Sequence, residues 1–343
     1  MGIFFSTTPI AKEAYRVSTT EAPVLDESRA RQFSAAFCAI RDNMQLVVRG
    51  KQDVIEHTIL CLLAGGHALL EDVPGVGKTT LAKALGRSLG AEIGRIQFTP
   101  DLLPADVTGV SIWDRNSGEF EFRPGPIFAE IVLADEINRA SPKTQSALLE
   151  AMAEFQVTVD GTSRSLSSPF MVLATQNPLE QEGTYPLPES QLDRFLMKLS
   201  VGYPSRGEEL KILQTHEEDR LVDRLQPVAS LRDISAMTAM IRSVSIAPEL
   251  REYMIDFAEA TRQHPAIALG MSPRCTLALQ RVARARAAAA GRVYVTDDDI
   301  KSLVLRVVDH RLALHPEASI AGVTSGSVIE EILRTTPVPY SRT

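Results

Sequence analysis

A lysine and a threonine placed directly after two glycines, in Gly75-Val76-Gly77-Lys78-Thr79, are residue types that can hold a polyphosphate. Glycines let backbone N–H groups approach phosphate oxygens, and a helix opening at Lys78 would aim its positive end at them. Lys78 would reach the β- and γ-phosphates and the Thr79 hydroxyl would hold Mg2+. The candidate cradle comprises Asp72, Val73, Pro74, Gly75, Val76, Gly77, Lys78, Thr79 and Thr80. It departs from the pattern GxxxxGK[ST] at Asp72, where the pattern has glycine.

Two further constellations could complete a hydrolytic site. Asp135-Glu136 closes the apolar run Ile131-Val132-Leu133-Ala134. Alone it reads as an acidic loop ending a strand. Downstream of a phosphate cradle, Asp135 suits magnesium held through water, and Glu136 suits polarising a water for attack on the γ-phosphate. Met171-Val172-Leu173-Ala174-Thr175-Gln176 is a second such run, ending at Asn177. Ligands of a parallel sheet bind outside the carboxyl ends of its strands, where Asn177 could orient the attacking water. By itself Asn177-Pro178 is only a turn signal.

The elements that must position these groups are legible as hydrophobic patterns. Strands are suggested at 67–70, 92–98, 131–134 and 171–175; the four-residue apolar runs among them lack alternation, as strands buried on both faces do, and predict a parallel α/β sheet. Leu81, Leu85 and Leu89 line one face of the helix after the cradle, which Gly90 should end. Helical patterning covers 34–63, interrupted at 47–50, and returns over 207–225, 231–244, 248–264, 273–290 and 296–312. Thr296, before three aspartates, is a predicted N-cap. Residues up to about Asp26 have no periodicity and read as a tail.

Composition narrows the class. With 343 residues, 44% of them hydrophobic, the chain can bury the cores of two domains. A net charge of -7 disfavours nucleic acid as the main partner. Cys38, Cys61 and Cys275 form no CxxC pair and read as buried structural residues. No apolar run reaches the roughly 20 residues of a membrane span, and the N-terminus lacks a signal-peptide pattern, so a cytoplasmic location is expected.

The ordered set of motifs resembles the AAA+ ATPases, and in detail the MoxR family. Residues 70–79 resemble that family's Walker A, including the aspartate at 72; Asp135 to Ala140 resembles its Walker B, and Ala174 to Pro178 its sensor 1. Gly183 to Phe195 resembles the segment carrying its arginine finger, and Ser272-Pro273-Arg274 its sensor 2. The resemblance covers about residues 34–315. It implies an α/β P-loop NTPase core of the AAA+ type with a C-terminal α-helical lid. The expected division is a tail at 1–30, a core at 31–205 with a hairpin insert near 108–124, and a lid at 206–343.

By the same resemblance the cofactors are ATP and Mg2+, and the catalytic set is Glu136, Lys78, Asn177, Arg194 and Arg274, with Thr79 and Asp135 on the metal. Arg194 would reach across to ATP held by a neighbour, its alternative being a surface ion pair with Asp193 or Glu189. Arg274, a cation at a helix N-terminus, opposes the helix dipole and so favours phosphate contact, in its own subunit or a neighbour's, with mere solvent exposure as the alternative. Trp113, on the hairpin, either faces a pore and a client or packs with Phe120 or Phe122. A second hairpin is expected near 156–162; Phe155 stands where the family more often has a basic residue. Arg281, Arg284 and Arg286 could form a basic patch, with a solvated face or subunit interface as the alternative.

The function implied is a homo-oligomeric, hexameric ring that couples ATP hydrolysis to remodelling, maturation or metal-cofactor insertion of a protein client, with a von Willebrand factor A domain protein as partner. The alternatives are the motor subunit of a magnesium-chelatase-like complex and a nucleotide-gated scaffold with little turnover; Glu136 and Arg194 argue against the scaffold.

Overall fold

The computed structural model describes residues 24–178, 183–207, 209–210 and 218–338. Most of the predicted tail lies outside these residues. Helix α1 (Glu27–Gln45) opens at an Asp26 N-cap whose side chain accepts the Arg29 N–H, so the helix takes in 27–30, which had been placed in the tail. After α2 (Gln52–Leu63), strand β1 (Ala68–Glu71) leads through the cradle into α3 (Lys78–Leu89). Gly90 ends α3 in the left-handed conformation at φ 62°, as its position predicted.

Strand β2 (Ile93–Gln97) is followed by the short α4 (Pro104–Thr108) and a hairpin of β3 (Gly109–Asp114) and β4 (Glu119–Pro124). Then come β5 (Ile131–Asp135), α5 (Pro142–Glu154), a second hairpin of β6 (Gln156–Val159) and β7 (Thr162–Ser165), β8 (Met171–Gln176), α6 (Glu189–Leu192) and β9 (Met197–Leu199). The sheet is parallel in the order β2-β5-β8-β1-β9. Strand β9 escaped the sequence reading because it has only three residues, too few to display a period.

Alternating side chains serve two cores. Ala68 and Leu70, Ile131 and Leu133, and Met171 and Leu173 face the side carrying α1 to α3. Leu69, Val132 and Ala134, and Val172 and Ala174 face the other side, with Leu148 and Met152 of α5. The first core continues without a break into the C-terminal helices.

Those helices are α7 (Glu218–Asp223), α8 (Leu231–Ile241), α9 (Pro248–Gln263), α10 (Pro273–Ala289) and α11 (Asp297–Val308). The predicted helix at 207–225 falls partly outside the described residues. Thr296 is the N-cap of α11; its N–H and hydroxyl both donate to Asp299, whose two oxygens also take Arg292 at 2.7 and 2.8 Å. Helix α11 stops at Val308, where helix had been expected to 312, because a 3-10 turn (Asp309–Arg311) follows. A small antiparallel pair, β10 (Ile267–Leu269) with β11 (Ala313–Leu314), then α12 (Pro316–Ile320) and α13 (Ser325–Thr335), complete the chain and were not anticipated.

Cys61 and Cys275 are buried as expected, whereas Cys38 is half-buried; all three are free thiols. No helix among the described residues is long and apolar enough to cross a membrane.

Candidate functional site

The cradle, Walker B and sensor 1 residues meet around one cavity of about 490 Å³ at the carboxyl ends of the sheet strands. Pro74 to Thr80 form one wall, and Asp135, Glu136, Thr175 and Asn177 another. Gly75 and Gly77 adopt φ of 83° and 96°, conformations that side chains rarely take, and a Cβ on either would project into open space. No side chain caps the N-terminus of α3, so its first N–H groups are available to an anion.

Lys78 donates from Nζ to the Asp72 carbonyl at 2.8 Å. Burial draws its pKa below the usual lysine value, and the charges of Asp72, Asp135 and Glu136 act against that shift. A bound polyanion would favour the charged ammonium further, so ligand and lysine charge reinforce each other.

Asp72 itself does not serve the cavity. Its carboxylate accepts from Ser200 Oγ at 2.8 Å, from the Gly202 N–H at 3.1 Å and from the Val201 N–H. Although the candidate cradle begins at Asp72, the side chain of that residue ties the root of the cradle to the chain leaving β9 and does not line the cavity. Val73 also lies off the cavity wall. Asp72→Ala should cost about 1–3 kcal/mol by leaving buried donors unpaired, measurable as a lower thermal midpoint with weaker nucleotide binding.

Asp135 ends β5 almost buried, and Glu136 follows in the left-handed conformation, φ 57° and ψ 48°. For a non-glycine residue this costs of order 1–2 kcal/mol, and the Glu136 N–H is held by Thr175 Oγ at 2.9 Å. The kink lets both consecutive carboxylates line the same cavity. Asp135 Oδ2 pairs with Arg95 at 2.9 Å, and Glu136 Oε2 accepts from Gln97 Nε2 and Arg139 Nη1, each at 3.0 Å.

Sequence reasoning missed Arg95 and Gln97. They alternate with Gly94 and Ile96 on edge strand β2, a pattern that reads as a solvent face, yet register sets Gln97 beside Asp135. Val47, Val48 and Pro204 add apolar wall where a base could lie. The signal for the first two was the break at 47–50, which looked like a mere helix interruption. The donor set suits the implied group: a threonine hydroxyl at 79 and a carboxylate at 135 are hard oxygen ligands for Mg2+.

Arg194 and Arg274 lie elsewhere. They line a second cavity, of about 90 Å³, together with His67, Phe155, Arg281 and Arg311. Arg194 Nη1 donates to the Leu149 carbonyl on α5, rather than pairing with Asp193 or Glu189. Arg274 is 62% exposed, with Nε 3.9 Å from Asp193. Neither reaches the cavity of its own chain.

Phe155 caps α5 at φ 52° and packs with His67 and Phe170, giving this second cavity an aromatic wall. Of the three arginines of α10, Arg281 lines the cavity and Arg286 pairs with Asp299 at 3.6 Å. Trp113 packs edge-on against Phe120 at 5.1 Å, but both stay exposed, at 51% and 70%. Phe122 instead meets Phe128, with the Arg164 guanidinium over its ring.

A five-stranded parallel sheet with a glycine-lysine-threonine cradle, adjacent strand-end carboxylates and a helical C-terminal part defines an AAA+ type ATPase architecture. Residues 67–197 match the family model "ATPase family associated with various cellular activities (AAA)", and residues 259–332 match the AAA lid domain. The chain is 51% identical over 301 residues to the uncharacterised protein YeaC of Bacillus subtilis, covering 88% of this chain and 94% of that one. It is 38% identical to chaperone MoxR1 of Mycobacterium tuberculosis, with 85% and 80% covered, and 31% identical to protein MoxR of Paracoccus denitrificans, with 91% and 99% covered. A crystal structure from Cytophaga hutchinsonii, assigned there as a candidate ATPase, superposes with a TM-score of 0.86 at 38% identity, covering 92% of this chain and 98% of that one. The chain belongs to the MoxR family of AAA+ ATPases.

Proposed function

We propose that the chain binds ATP with magnesium in the larger cavity and hydrolyses it inside a hexameric ring, using the cycle to remodel or mature a protein client. The observation that carries this reading is the convergence of Gly75, Gly77 and Lys78 with Asp135, Glu136 and Asn177 on one cavity wall set. The cradle's N–H groups and Lys78 hold the phosphates; Thr79 and Asp135 hold the metal. Bound magnesium supplies charge neutralisation on the phosphate oxygens. Glu136 polarises the attacking water, which Asn177 orients, and to do so it exchanges its bond to Gln97 or to Arg139.

Arg194 and Arg274 project away from their own cavity, which supports action on the nucleotide of a neighbouring subunit. To reach across, Arg194 leaves the Leu149 carbonyl. The chaperone reading draws on the relative named chaperone MoxR1. The von Willebrand factor A domain partner and the cytoplasmic location rest on the family resemblance.

Lys78→Ala tests the nucleotide assignment. Affinity for a non-hydrolysable ATP analogue should fall about 10- to 100-fold, since a charge-assisted contact is lost. Unchanged affinity by calorimetry in a folded Lys78→Ala protein would overturn it.

A further inference from the structure

The 3-10 turn Asp309–Arg311 at the end of α11 spends all three of its side chains on one short stretch of the core. Asp309 takes Lys198 of β9 at 2.6 Å. His310 donates from Nε2 to the Phe195 carbonyl at 3.0 Å; burial holds its pKa down at about 3, which keeps the ring neutral. Arg311, only 6% exposed, donates from Nη2 to the Phe195 carbonyl at 2.6 Å and to the Asp193 carbonyl at 3.3 Å. Its Nη1 donates back to Val307 O of α11 at 2.7 Å. Its Nε lies 2.9 Å from Asp193 Oδ1 without pointing at it, a charge contact rather than a directed bond.

The two carbonyls that Arg311 grips are those of the residues on either side of Arg194. A buried guanidinium is costly unless paired, and this one is committed to the backbone that aims the finger. Asp193, its charge partner, also lies beside Arg274.

We propose that Arg311 is a positioning residue for Arg194: it locks the C-terminal helices to the finger-bearing turn, so that both move as one body against the neighbouring subunit. This rests on the proposed action of Arg194 in trans. Arg311 does not touch nucleotide in its own cavity, so its effect should appear in turnover and not in binding.

The test is steady-state hydrolysis and analogue binding for Arg311→Lys, Arg194→Ala and the double variant, each assembled as the full-length protein. Arg311→Lys keeps the charge but loses the planar fork that holds the Val307 carbonyl through Nη1 while Nη2 takes the Phe195 and Asp193 carbonyls. It should lower kcat roughly 10- to 100-fold, as misplacement of a catalytic group does, with analogue affinity within about twofold. In the Arg194→Ala background the same change should slow turnover no further. Additive loss in the double variant would overturn the proposal, because Arg311 would then act by another route. Normal turnover in Arg194→Ala would instead remove the trans-finger reading on which it stands. Asp193→Asn, which removes the charge contact at unchanged volume, provides the same epistasis measurement should Arg311→Lys fail to fold.

Discussion

Glu136→Gln is expected to leave ATP bound and to slow its hydrolysis roughly 10²- to 10⁴-fold, the range for loss of a positioned general base. The amide preserves volume and can still accept from Gln97 and Arg139, so the cavity wall should survive. What it loses is the charge that draws a proton from water. The variant should therefore hold nucleotide as tightly as the parent and stay assembled while ATP persists. Single-turnover phosphate release beside analogue binding checks this: slow release with intact binding agrees, and normal release contradicts the assigned role.

Arg194→Ala should have an effect of comparable size, on the order of 10³-fold in kcat, because a guanidinium that neutralises charge on a transferring phosphoryl group is among the strongest single contributions to this chemistry. Binding should be nearly unaffected, since Arg194 lies outside its own chain's cavity and bonds to Leu149. The split between kcat and affinity separates it from Lys78, whose loss acts on binding first. A fall in affinity comparable to the fall in kcat would place Arg194 at its own subunit's nucleotide and contradict the geometry.

The cradle was legible because its chemistry is contiguous: two glycines, a lysine and a threonine on adjacent residues need no tertiary information. Asp135 and Glu136 were legible because a buried strand ends at them. The role of the Asp72 side chain was not legible because its partners, at 200–202, are distant along the chain and nothing local announces them. Arg95 and Gln97 were missed for a related reason: strand alternation tells which residues share a face, and cannot tell that an edge strand's polar face borders a cavity.

The role of the lid was the least legible part. Helices α8 to α11 follow from periodicity, whereas α12 and α13 do not, and the turn at Asp309–Arg311 reads in sequence as a continuation of α11. Only the fold brings His310 and Arg311 against the segment containing Arg194. The same holds for Trp113 and Phe120: alternation pairs them across the hairpin, yet leaves open whether that face is covered.

On the proposed mechanism the cavity becomes hydrolytic only when a neighbour's arginine completes it. Phosphate release from mixed assemblies of Arg194→Ala and Glu136→Gln subunits, each nearly inactive alone, tests this directly. A Glu136→Gln subunit offers an intact Arg194 to a neighbour with an intact Glu136, so the mixture should recover turnover above either variant. No recovery in assemblies verified to contain both subunits would contradict the claim.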